Sequence, residues 1–144
     1  MPARSRSSAR DEGNAPLELV ILAPVVFLLL AFVVAAGRTS IAQGSVAAAA
    51  RDAARQASIS LTPGAAQTAA LSSAMKALGQ DGLDCRPVVT VDTAGFGVPV
   101  GQPAAVSATV TCTVSLSDLL VPGLPGSRTL TATFTSPLDP FRER

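Results

Sequence analysis

Histidine, tryptophan and tyrosine are absent from the 144 residues, and phenylalanine occurs only five times. Without histidine the chain lacks the commonest general base and metal ligand, and the usual activator of a serine or cysteine nucleophile. The shortage of aromatics, with a net charge of +1, removes the basic face and stacking platforms by which nucleic acid is held. Serines, threonines and ten carboxylates are present, but no spacing among them makes a catalytic dyad, a metal cage or a phosphate-binding glycine loop. Asp81 and Asp84 flank Gly82 in a turn, with too few ligands for a calcium loop. The composition therefore predicts a protein that is not an enzyme, carries no cofactor and binds no nucleic acid.

Charge is also scarce where apolar residues are dense. Leu19 to Ala36 is a run of 18 residues without a polar side chain, close to the roughly 20 that cross a hydrocarbon layer of about 30 Å. Before it, Met1 to Glu12 is polar and rich in arginine and serine, with Arg4, Arg6 and Arg10 as a small basic cluster. That stretch has no apolar period and is expected to be disordered. Arg38, Arg51 and Arg55 follow the run, so the positive-inside bias alone orients it only weakly.

Helical character continues past the apolar run. Arg38 to Ser60 is alanine-rich, with Arg51 and Arg55 four apart on one face. One continuous helix from about Pro16 to Ser60 is expected, kinked at most by Pro24, with Arg51, Asp52 and Arg55 as a solvated face. A second helix is signalled by Thr62 as N-cap, Pro63 at the first helical position and Gly79 as C-cap. Ala65, Ala69, Leu71, Met75 and Leu78 offer its apolar side, and the short turn between the helices predicts a hairpin.

Beyond Cys85 the period changes to two. Val89 and Val91 alternate with polar or exposed neighbours. Val106, Ala108, Val110, Cys112, Val114 and Leu116 share one face, and Leu130, Ala132 and Phe134 alternate with threonines. Gly/Pro-rich connections at 94–103 and 121–127 complete a three-stranded antiparallel meander with one face on the helices. The expected fold class is α+β: a long N-terminal transmembrane helix continuing into an extracytoplasmic helix hairpin packed on a small three-stranded antiparallel sheet. The apolar segment 119–124 is expected to pack on the helix pair, with a partner-docking tip as its alternative. The two cysteines, Cys85 and Cys112, form an even pair in a small domain, which reads as one disulfide in an oxidising compartment. Cys112 lies on the apolar strand face, where a bridge would tie its strand to the end of the helical part.

The most specific feature is the join between tail and apolar run, Gly13-Asn14-Ala15-Pro16-Leu17-Glu18-Leu19. A glycine stands before an apolar helix, and an acid follows five residues later. A carboxylate there is expensive unless paired. This join resembles type IV pilin precursors, which a dedicated membrane peptidase cuts after such a glycine. Arg10 to Pro24, Gly37-Arg38 and Ala49-Ala50-Arg51-Asp52-Ala53-Ala54-Arg55, with the region from Cys112 to Thr133, are similar in their order to the TadE-like family of actinobacterial type.

The resemblance implies a minor pilin or pseudopilin of a Tad/Flp-type pilus or secretion apparatus. In that scheme prepilin peptidase cleaves between Gly13 and Asn14, and Glu18 meets a free N-terminal amine during assembly. The implied partners are that peptidase, other pilin-like subunits, the Tad inner-membrane assembly proteins and membrane lipid. The implied organisation is a cytoplasmic leader at 1–13, a transmembrane helix at 14–37 and an extracytoplasmic domain at 38–144. The implied location is the cytoplasmic membrane, with the N-terminus on the cytoplasmic side and the C-terminal domain outside, and extraction into a surface filament is left open. Leu19 stands where major Flp pilins carry an aromatic residue, and the outer domain is far larger than theirs, so a minor component is favoured over the main filament subunit.

Other readings place the same residues differently. Val34 and Ala36 would suit a signal peptidase cutting before Gly37, although the run exceeds the usual 7–15 residue core and acids spoil its flank. A plain single-pass anchor would make Gly13 incidental and leave Glu18 snorkelling to the headgroups. A membrane-anchored binding or sensor module that never enters a filament is the competing function.

Overall fold

A computed structural model describes residues 15–119 and 125–141. Its first element, α1 (Ala15–Ser58), is a single helix of 44 residues, about 66 Å at 1.5 Å per residue. Pro24 lies inside it without ending it. The two halves of α1 differ in burial. Residues 18 to 41 leave their side chains largely uncovered, whereas Ala42, Val46, Ala49, Ala50, Ala53, Ala54 and Ala57 are buried at steps of three and four. That spacing is the period of one helix face.

Ile59 to Thr62 connects α1 to α2 (Pro63–Gln80), which contacts α1. The Thr62 hydroxyl accepts from the Ala65 N–H at 3.2 Å, and Pro63 occupies the first turn. The C-terminus lies further on than the glycine at 79 suggested. Asp81 is the cap, and Gly82 takes the left-handed conformation at φ 69°. The Leu83 N–H reaches the Leu78 carbonyl at 3.0 Å and the Gly82 N–H reaches Gly79 at 3.2 Å. These two bonds make a Schellman motif, which needs its glycine one residue beyond the cap.

The buried face of α2 is also turned from the expected one. Ala66, Ala70, Ala74 and Leu78 are buried, while Leu71 and Met75 remain 39% and 56% exposed. Alanine on both contacting helices lets their backbones approach, and the larger side chains would hold them apart. Small size, and not hydrophobicity alone, selected the face.

The sheet comprises β1 (Val88–Asp92), β2 (Ala104–Ser115) and β3 (Ser127–Leu138), antiparallel in the order β1-β2-β3. A short 3-10 turn at Ala94–Gly97 lies in the first connection, and a one-turn helix, α3 (Leu116–Leu119), follows β2. Leu116 thus leaves the strand it was expected to continue. Val106, Ala108, Val110, Cys112 and Val114 are buried in one core with the alanines of both helices. The chain is therefore α+β, as the alternation of sequence periods predicts. In β3, Leu130 is buried, but Phe134 is 36% exposed at the rim. Buried Leu119 joins the core, while 120–124 of the apolar segment lie outside the described residues.

Candidate functional site

The first turn of α1 carries Glu18 as its acidic residue. From there the helix runs 18 residues without a polar side chain, and none of that stretch is buried. Pro24 has no N–H to give the carbonyl four residues earlier, Val20. At the far end the Thr39 hydroxyl donates to the Ala35 carbonyl at 2.9 Å, satisfying itself within the helix. The length and apolarity of this segment fit a single-pass membrane anchor. Gly13 and Asn14 lie outside the described residues.

The second half of α1 presents Arg51, Asp52 and Arg55 to solvent. Arg51 has a specific neighbour. Its guanidinium lies 5.3 Å from the centroid of the Phe134 ring, a cation–π distance. On the same side the Ser136 hydroxyl donates to the Ser58 hydroxyl at 3.1 Å. These two contacts pin β3 along the outer half of α1. Asp52, Arg55 and Lys76 line an open groove of about 770 Å³ between α1 and α2. Its lining is mostly polar and of mixed sign, with Ser72 and Ser73 beside Lys76.

Cys85 and Cys112 are joined as a disulfide, with Cα atoms 5.8 Å apart. The bridge crosses from the segment after α2 to the C-terminal part of β2. Two further arrangements are a side-chain clamp that carried no sequence signal and a ladder of hydroxyls on the threonine-rich face that the strand alternation exposes. The Gln67 side chain clamps the outer edge of β1, with Nε2 donating to the Val89 carbonyl at 2.7 Å and Oε1 accepting from the Val91 N–H at 3.2 Å. Across the solvent face, hydroxyls pair between β2 and β3 at Ser107–Thr135, Thr109–Thr133, Thr111–Thr131 and Thr113–Thr129.

Residues 13–55 match the family model described as TadE-like protein. This segment is TadE-like. No curated protein and no solved structure matches the chain. The TadE-like segment takes in Gly13, Glu18, Pro24, Gly37-Arg38 and the Arg51-Asp52-Arg55 group, and it ends three residues before α1 does. The sheet and the disulfide lie beyond it.

Proposed function

We propose that the protein is a membrane-tethered structural component of a Tad/Flp-type pilus or secretion apparatus, acting as a minor pilin or pseudopilin. The uncovered apolar half of α1, inside the TadE-like match and headed by Glu18, carries this reading. Prepilin peptidase removes residues 1–13, and residues 14–37 span the cytoplasmic membrane. Residues 38–144 form one extracytoplasmic domain, a helix hairpin on a small sheet. The disulfide supports that side of the membrane, because such bonds persist in oxidising compartments.

Glu18 acts after cleavage. An ionised carboxylate entering hydrocarbon is costly alone and much less so beside an amine. The new N-terminal amine at Asn14 is about one helical turn away along the chain, and that of a neighbouring subunit can lie closer still. Matching the two in a bundle of pilin-like helices gives assembly its register. Other pilin-like subunits and the Tad inner-membrane assembly proteins are then the partners, with lipid around the unassembled helix.

Fractionation of the native envelope checks this. The chain is expected in the cytoplasmic membrane, co-isolating with other pilin-like subunits and the assembly proteins. A chain that is membrane-bound yet never associates with them would instead be a tethered sensor or binding module.

A further inference from the structure

The fold treats the two edges of its sheet differently. On β1 the outer backbone groups of Val89 and Val91 are taken by the Gln67 amide, which mimics a neighbouring strand. Those bonds also fix which groups face outward elsewhere. With Val89 and Val91 turned out, Val88, Thr90 and Asp92 bond inward to Thr111, Thr109 and Ser107. The alternate residues of β2, Val106, Ala108, Val110 and Cys112, then bond to Ser136, Phe134, Ala132 and Leu130. Thr129, Thr131, Thr133 and Thr135 are left with N–H and C=O directed away from the sheet. Pro137 shares their parity, at the place where a missing N–H costs the ladder nothing.

Among the described residues, no backbone hydrogen bond beyond the ladder reaches β3. Nor does the edge carry the usual defences of lysine, bulge or inward charge. Arg128 precedes the open stretch and Pro137 follows it, while Thr129 to Thr135 is uncharged. We propose that this stretch is a docking edge for an extended, uncharged segment of a second protein, which adds to the sheet as a fourth strand.

The geometry selects that occupant over another copy of the chain. Head-to-tail growth of the sheet, β3 on a neighbour's β1, meets the Gln67 clamp. Antiparallel pairing of two β3 strands meets the tether. β3 runs in the same sense as α1, since Phe134 lies by Arg51 and Ser136 by Ser58. A two-fold pair would therefore point its two α1 helices in opposite directions, which copies in one membrane cannot do. Parallel self-pairing would set the apolar face of one sheet level with the threonine face of the other. A strand from another polypeptide has none of these obstacles. Its main chain supplies the bonds, and side chains alternating between hydroxyl or β-branched and apolar types suit the two faces. The exclusion of self-pairing rests on the membrane tether of the proposed function; the open edge itself does not.

A synthetic peptide of the β3 sequence, residues 127–138, has this alternation and no tether, so it serves as the probe. It is titrated onto the full chain in lipid nanodiscs while amide exchange is followed residue by residue. Slowed exchange at Thr129, Thr131, Thr133 and Thr135, with Val91 unchanged, is expected. Thr131→Pro removes an outward N–H without touching the backbone ladder, as Pro137 already does, and should weaken peptide binding roughly tenfold or more relative to Thr131→Val, which loses the same hydroxyl pair with Thr111 but keeps the N–H. Gln67→Ala should add a second set of protected amides at Val89 and Val91. An inserted chain whose β3 amides stay unprotected, or a Thr131→Pro variant that binds as well as Thr131→Val, overturns the proposal. Failure to insert would instead count against the membrane anchor.

Discussion

At Glu18 one carboxylate begins a helix whose next 18 residues offer it nothing polar. Glu18→Gln keeps the shape and the hydrogen-bonding capacity and removes the charge. Membrane insertion and cleavage should persist while assembly or surface release fails, as immunoblots of membrane and sheared-filament fractions would record. Normal release would mean that the carboxylate only snorkels. Gly95 makes a purely steric case, because a Cβ there would collide with the Ala105 carbonyl and the Leu138 side chain. Gly95→Ala should destabilise the domain by about 2 kcal/mol or more, read from denaturant unfolding. Cys112 was legible because strict alternation put it on the buried face of β2, facing the end of the helical part. The Gln67 clamp was not, since one glutamine among alanines gives no sign of which strand edge will reach it.

The helices hold by close approach of small residues, and Leu78 is the largest side chain fully buried among them. Leu78→Ala should cost about 3 kcal/mol in unfolding free energy, whereas Met75→Ala on the exposed side should change little. Equal losses at the two positions would return the buried face to the one that hydrophobicity suggests. Apolar period alone favoured Leu71 and Met75, because it weighs leucine above alanine. Packing reversed the order, since alanines already lined α1 from Ala42 to Ala57. The helix stop was misplaced for a related reason: two glycines, Gly79 and Gly82, compete in sequence, and only backbone geometry shows which one adopts positive φ. Across the sheet, replacing Cys85 and Cys112 together by alanine should remove about 2–4 kcal/mol through the freed unfolded chain. Thermal unfolding in detergent with and without reductant would measure it.

The molecule as a whole divides by solvent. One half of α1 has no cover among the described residues, and the other half carries a small α+β domain. This division was readable from the sequence because an unbroken apolar run and two changes of period are coarse signals that local detail does not disturb. What stayed hidden was the contact of β3 with α1 through Arg51, Phe134, Ser58 and Ser136, which depends on how the layers stack. The central claim, that the uncovered half is a pilin-type helix, is tested most directly by the mature N-terminus. On that account, cleavage after Gly13 would discard the basic cluster of Arg4, Arg6 and Arg10 and leave Glu18 close in sequence to a new amine. Intact-mass spectrometry of the protein from its native host, with and without prepilin peptidase, should find a chain beginning at Asn14 only when the peptidase is present. A chain beginning at Gly37, or an uncut Gly13–Asn14 bond beside an active peptidase, would contradict it.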